Sequence, residues 1–152
     1  MRRSCGFTLV ELVVVMVLIG VLAVVALPRV MDQRGGFAAR GTRDFVASGL
    51  RYAQKSAIAM RRNVCVVVGT AHLEVTYAGA AGTTQACTAG NTLAEPSTGK
   101  PFVQSDYPGG ATVSTPGDVT FDALGRPSAG LSFTITQHAT PVVVEAETGL
   151  VH

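Results

Sequence analysis

The chain has 152 residues, a formal net charge of +2 and a mean hydropathy of +0.36, with 47% hydrophobic and 14% charged residues. This composition excludes a disordered chain, and the length excludes a large α/β barrel or a two-domain enzyme. The apolar excess lies in residues 7–28, where 18 of 22 side chains are apolar. One membrane segment and one small domain are therefore expected.

Charge follows the chain in three blocks. Residues 1–28 carry a net +1, residues 29–62 carry +6, and residues 63–152 carry −5. The sequence therefore predicts a basic stem followed by an acidic head. Nucleic-acid binding requires clustered Lys and Arg, and the head holds only Lys100 and Arg126, so a nucleic-acid partner is not favoured.

The N-terminus has a short basic leader, MRRSCG, followed by the apolar run FTLVELVVVMVLIGVLAVVAL. As a helix these 21 residues measure about 30 Å, the thickness of a bilayer core. No small-residue cleavage site of the secretory type follows Leu27, and Cys5 precedes the apolar run, which excludes a lipoprotein signal. An uncleaved N-terminal anchor remains an alternative, and Pro28 is expected to kink or end the span.

Glu11 is the exceptional residue of this run. A carboxylate in an apolar span costs a few kcal/mol and usually has a partner or a function. Cleavage between Gly6 and Phe7 would place a new α-amino group four residues from Glu11, and a neighbouring copy in a helical assembly could supply that cation. The position of Glu11 therefore favours processing and assembly over a plain anchor.

The run G-FTLVEL, from Gly6 to Leu12, resembles the prepilin signature shared by type IV pilins and the pseudopilins of type II secretion. The resemblance implies cleavage after Gly6 by a prepilin peptidase, N-methylation of Phe7, and Glu11 as the assembly carboxylate. It also implies a single-pass inner-membrane protein with a periplasmic head, which joins other pilin or pseudopilin subunits through its N-terminal helix in a pilus or pseudopilus.

The residues after Pro28 predict an amphipathic helix, because apolar side chains recur every three or four positions. This stripe is expected to pack on the chain's own head rather than in a coiled coil, since too few heptads persist. Gly35, Gly36 and Gly41 predict a bend or melted turn within residues 34–42. The stripe consists of Val46, Leu50, Ala53, Ala57 and Met60.

Short β-type runs begin after Asn63, and turn residues separate them. Residues 78–110, rich in Gly, Ala, Thr, Ser and Pro, are expected to form a long loop or weak strands rather than core. The predicted fold is α+β, a pilin lollipop with a leader (1–6), a transmembrane and assembly helix (7–28), a stem helix (29–62) and an antiparallel β-rich periplasmic head (63–152). The runs are 64–68, 73–77, 119–121, 131–137, 142–145 and 149–152.

The head adds a second resemblance. Three of its segments resemble the GspH/FimT group of minor pilins and pseudopilins: LRYAQKSAIAMRRNVCVVV, VTFDALGRPSAGLSFTI and PVVVEAETGLVH. The resemblance implies two closing hairpins, one around Gly125 and one around Gly149. FAARGTRDF together with LRYAQKSAIAMRR is most similar to minor pilins of the mannose-sensitive haemagglutinin (MSHA) type.

The cysteine count agrees with cleavage and export. Removal of the leader discards Cys5 and leaves Cys65 and Cys87, which could then pair in the periplasm. Such a bridge stabilises a small domain by about 3 kcal/mol. The alternative is that Cys65 is a small buried apolar residue of its strand.

Catalytic and metal-binding motifs are missing from the sequence. His72, His138 and His152 lack zinc-site spacing, and no C-x-x-C, G-x-S-x-G or phosphate-binding loop occurs. Asp122 is interpreted as a turn residue and His138 as a loop residue. We therefore expect no enzyme activity, cofactor or metal. Three functions remain: an MSHA-like minor pilin, a GspH-like pseudopilin, and a FimT-like DNA-binding minor pilin, which would require a basic head.

Overall fold

The structure, a computed structural model, describes residues 8–82 and 84–152, apart from the side chains of residues 25–34. The chain forms two compact units, which divide between Arg34 and Gly35. The second unit, Gly35–His152, contains all of the β structure and is called the head unit below.

One helix, α1 (Leu9–Met60), precedes all the strands. Thr8 caps its first turn, because the Thr8 hydroxyl oxygen accepts a hydrogen bond of 3.3 Å from the Glu11 amide. At its end, Arg61 adopts a left-handed conformation with φ of 51°, and the Arg62 amide donates to the Ala57 carbonyl at 3.2 Å. These two residues form a C-terminal cap that turns the chain into the first strand.

The main sheet is antiparallel and has the strand order β3-β2-β1-β5, with β4 also paired to β2. Its alternating Val and Leu residues face the helix, since Val66 is buried between Val75 on β2 and Val119 on β5. The strands are β1 (Val64–Val68), β2 (Leu73–Ala78), β3 (Cys87–Thr92), β4 (Val103–Gln104) and β5 (Gly117–Phe121).

A two-stranded antiparallel sheet, β6 (Leu131–Phe133) and β7 (Val142–Val144), completes the fold. Val151 joins β7 through a single bridge, so the chain end is bonded back onto this sheet. The buried side chains of both sheets form one core with the helix residues of the head unit. The predicted α+β architecture with an antiparallel head is confirmed.

The expected helix stripe is confirmed within the head unit. Val46, Leu50, Ala53 and Ala57 are each fully buried, and Met60 packs against the same core. The expected melted turn is wrong, because residues 34–42 are helical throughout, whereas the bend expected as its alternative stays a prediction. Packing of α1 residues such as Ala39, which is fully buried, outweighs the low helix propensity of the three glycines.

The expectation that residues 78–110 avoid the core is also wrong. The weak strands expected there are present as β3 and β4, but the segment also buries Leu93, Phe102 and Tyr107 in the core. Phe102 packs edge to face on Phe45 of α1, with ring centroids 5.8 Å apart. The three large side chains are too widely spaced to produce a sequence period, so only tertiary contacts bring them into the core, such as the hydrogen bond from the Tyr107 hydroxyl to the His72 carbonyl at 2.7 Å.

Two predicted strands are shorter than expected. The run 131–137 is a strand only as far as Phe133, and the run 149–152 contributes only the bridge at Val151. After Phe133, Ile135 keeps only a bridge to Val113, and a turn at Gln137, with φ of 65°, ends the run. Gly149, with φ of 69°, lies in the turn that leads from β7 to Val151.

Candidate assembly site

The first turns of α1 expose an apolar surface. Between Leu9 and Val24, the large apolar side chains are 45 to 80% exposed. A continuous exposed surface of this kind requires a partner, either lipid or neighbouring helices. No helix in the described part of the chain has both the length and the apolarity that crossing a membrane requires.

Glu11 is the only charged residue on this part of the helix. It lies in the first turn, where the positive end of the helix dipole favours a carboxylate. Its carboxylate forms no ion pair with any residue that the structure describes. The carboxylate is therefore available to a cation outside the described residues.

Several predicted site residues lie outside the described residues. Gly6 and Phe7, the cleavage and methylation positions, are among them, as is the side chain of Pro28. Cleavage, methylation and the proline kink therefore stay predictions.

Two polar side chains of α1 join the helix to the closing turns of the head. The Arg51 guanidinium donates to the Val151 carbonyl from Nε at 3.1 Å and from a terminal nitrogen at 3.0 Å. The Gln54 amide donates to the carbonyls of Gly125 at 3.0 Å and Thr148 at 3.1 Å. Both residues fasten the chain terminus and its turns to the helix.

The two predicted hairpin turns lie against each other and against α1. Gly125 and Gly149 both have positive φ angles, 81° and 69°. A Cβ on Gly125 would lie 2.7 Å from Ile58 Cδ1, and a Cβ on Gly149 would lie 2.6 Å from the Gly125 carbonyl oxygen. Conformation therefore favours glycine at both turns, and at Gly149 the Gly125 carbonyl oxygen also leaves no room for a Cβ.

Asp122 shapes the first of these turns, as predicted. Its carboxylate oxygen accepts hydrogen bonds from the amides of Leu124 at 2.9 Å and Arg126 at 2.8 Å. His138 lies in a loop, where its Nδ1 contacts the backbone of Thr140. Across the residues that the structure describes, no group of His, Cys, Asp or Glu side chains is arranged to hold a metal ion.

Cys65 and Cys87 form a disulfide bond with a Cα–Cα distance of 6.1 Å. This is the pairing expected once Cys5 is removed. The bond joins β1 to β3 across the intervening β2. It therefore fastens the Gly- and Thr-rich segment that follows β2 to the centre of the sheet.

The amphipathic pattern of the stem gave no indication of the roles of Arg51 and Gln54, because it identifies only the apolar stripe. Gln54 lies three residues after Arg51 and four residues before Ile58, and this spacing puts all three on one side of α1. That spacing was the available indication that this side faces the turns.

The fold and the N-terminal segment define a type IV pilin-like protein. The family model described as the prokaryotic N-terminal methylation motif matches residues 1–27. The family model described as type II transport protein GspH matches residues 44–148, roughly two thirds of the chain. The chain belongs to this GspH family.

Neither the curated proteins nor the solved structures contain a match to this chain. The two family matches make it a type IV pilin or pseudopilin subunit. Its prepilin motif implies processing by a peptidase and assembly with other pilin or pseudopilin subunits, and both families are membrane-anchored and pilus-associated.

Proposed function

We propose that this protein is a minor pilin of an MSHA-like type IV pilus, with a structural rather than an enzymatic role. It is inserted in the inner membrane as a prepilin, cleaved after Gly6, methylated on Phe7 and then incorporated into the filament. The G-FTLVEL signature on an apolar helix, joined to a GspH-type head, carries the pilin-like role. The similarity of FAARGTRDF and LRYAQKSAIAMRR to MSHA-type minor pilins favours the minor pilin.

The chemistry of the helix supports assembly as its purpose. The exposed apolar surface after Leu9 suits burial in lipid and then among neighbouring helices. Glu11 is costly in either environment unless it is paired, and the Phe7 amine of a neighbouring subunit is a suitable cation. Pairing across subunits makes incorporation depend on this one carboxylate.

The test compares Glu11→Ala with wild type in pilus-producing cells. We expect normal insertion and cleavage but at least tenfold less subunit in sheared filaments. Intact mass spectrometry of membrane-extracted protein should show loss of Met1 to Gly6 and gain of one methyl group in both proteins. Val13→Ala, a change on the same exposed helix, is the matched control. Incorporation of Glu11→Ala at the wild-type level, or retention of the leader, would contradict the proposal.

A GspH-like pseudopilin of a type II secretion system is the second candidate, and the GspH family match favours it. A deletion strain separates the two. Loss of surface pili with normal secretion supports the minor pilin, whereas retention of secreted proteins in the periplasm with normal pili supports the pseudopilin.

The FimT-like role in DNA uptake is disfavoured by the charge of the head. Residues 63–152 carry −5, and duplex binding depends on clustered cations. Titration of labelled duplex DNA with residues 37–152, followed by fluorescence anisotropy at about 150 mM salt, should detect only non-specific binding, with a Kd of about 10⁻⁴ to 10⁻⁶ M. Submicromolar binding with a steep salt dependence would reverse this ranking.

A further inference from the structure

An open groove on the head unit is lined by three aromatic rings and one carboxylic acid. Phe45 and Tyr52 of α1 lie on one side, and Glu95 and Phe102, from the segment between β3 and β4, complete the lining. The groove has a volume of about 280 Å³. These four residues define the aromatic groove.

Phe102 forms the floor of the aromatic groove. It is only 6% exposed, and its ring lies directly on α1, since a Cβ on Gly49 would lie 3.3 Å from Phe102 Cζ. The rings of Phe45 and Tyr52 meet it at steep angles, 74° and 69°, with centroids 5.8 and 6.0 Å away. The three rings therefore form a floor with two walls and not a stack.

The two wall rings come from the same face of α1. Phe45 and Tyr52 are seven residues apart, which is two helical turns or roughly 10 Å along the axis. Cation–π attraction extends to about 6 Å from a ring centroid. A small cation seated between the walls would therefore be within reach of both rings.

A short hairpin holds Glu95 at the groove. A bridge between Ala94 and Pro101 closes the hairpin, and the Tyr52 hydroxyl donates to the Ala94 carbonyl at 2.7 Å, which fastens the hairpin to α1. The Thr98 hydroxyl donates to Glu95 Oε2 at 2.6 Å. The carboxylate is thus positioned by its neighbours before any ligand arrives.

Glu95 brings an uncompensated negative charge to the groove. Hydrogen bonds from the Thr98 and Ser97 hydroxyls lower the pKa of Glu95, so the carboxylate is ionised near neutral pH. It forms no ion pair within the part of the chain that the structure describes, and Lys100 of the same hairpin lies beyond ion-pair distance. The groove therefore has an anion and aromatic walls but no cation.

We propose that the aromatic groove is a binding site for an alkylammonium ion. The rings attract a cation through their quadrupoles, and the Glu95 carboxylate supplies the opposite charge. An anionic ligand would be repelled by Glu95, and a purely apolar ligand would leave this carboxylate unpaired beneath it. The net charge of −5 on residues 63–152 also favours a cation over an anion. The proposal does not depend on the pilin role, because the groove lies outside the N-terminal segment.

The experiment titrates the isotopically labelled full-length protein in a maltoside detergent, which has no ammonium group. The two probes are choline, a quaternary ammonium ion, and N-acetyl-lysine methylamide, a primary one. Each is compared with its neutral isostere, the tert-butyl analogue of choline and N-acetyl-norleucine methylamide. The backbone amide shifts of Ser48 and Ser97, which also line the groove, report its occupancy.

We expect saturable shifts with at least one of the two cations, with a Kd about tenfold lower than that of its neutral isostere. Tighter binding of choline would identify a small quaternary ammonium compound as the type of ligand, and tighter binding of the lysine derivative would identify a protein side chain. Equal affinities of each cation and its isostere would overturn the proposal.

Two variants test the groove residues. Glu95→Gln should weaken binding of the cation about fivefold and leave the neutral isostere unaffected, whereas Glu147→Gln, an exposed position outside the groove, is the matched control and should change neither. Tyr52→Leu should weaken cation binding by a similar factor. If Tyr52→Leu fails to fold, the surface change Glu95→Gln still decides. Cation binding that Glu95→Gln leaves undiminished would overturn the site.

Discussion

Replacing Gly149 by alanine tests whether the two closing turns depend on their close approach. Gly149 has φ of 69°, and a Cβ there would lie 2.6 Å from both the Gly125 carbonyl oxygen and the Gln54 amide nitrogen. Gly99 provides a matched control, because it has φ of 68° and open space around the same Cβ position. Both variants place a Cβ in the left-handed region, and only Gly149→Ala brings that Cβ too close to neighbouring atoms.

The expected losses in free energy of unfolding follow from these contacts. Gly99→Ala should cost about 1 kcal/mol, the penalty for a Cβ in the left-handed region. Gly149→Ala should cost about 3 kcal/mol, since the turn must also move away from Gly125 and lose the hydrogen bond between Gln54 and Thr148. In a Gln54→Ala background the loss should be smaller, because one of the two contacts is gone.

Urea unfolding of the oxidised full-length protein in detergent measures these differences. Near-ultraviolet circular dichroism is a suitable signal, since the three tyrosines, Tyr52, Tyr77 and Tyr107, all belong to the head unit. Equal losses for Gly149→Ala and Gly99→Ala would refute the reasoning, because backbone conformation alone would then account for both.

Three further predictions concern the core and the disulfide. Cys65→Ser with Cys87→Ser should lower the free energy of unfolding by about 3 kcal/mol, and peptide mapping without reductant should recover the linked peptides from wild type. Leu50→Ala, at a fully buried position of the helix stripe, should cost about 3 kcal/mol, whereas the exposed Ser48→Ala should cost little, both measured by urea unfolding. Burial raises the pKa of the Tyr107 hydroxyl from 10 to about 12, so the unfolded chain loses the hydroxyl proton at lower pH than the folded chain does. The free energy of unfolding should therefore fall as the pH rises from about 10 to about 12. Tyr107→Phe should flatten this part of the pH profile.

Tertiary context explains where sequence reasoning succeeded on the head and where it failed. Val46, Leu50, Ala53 and Ala57 were predictable because a helix places residues three and four apart on one face, whatever covers that face. Phe102 was missed because its burial depends on pairing β4 with β2 across the long segment after Ala78, and no local period marks such a pairing. The same limit applies to Arg51, whose carbonyl partner on Val151 is 100 residues away.

The prepilin signature, the apolar run and the charge blocks were determined by the sequence alone, because each is a property of consecutive residues. The turn at Asp122 was also predictable from the sequence alone, because the Asp122 carboxylate accepts hydrogen bonds from the amides two and four residues further along the chain. Only the tertiary structure decided that Glu74, Val67 and Asp118 form one row on the sheet surface. That row depends on the register of three strands that are distant in the chain, and register is set by which faces are buried and not by local preference.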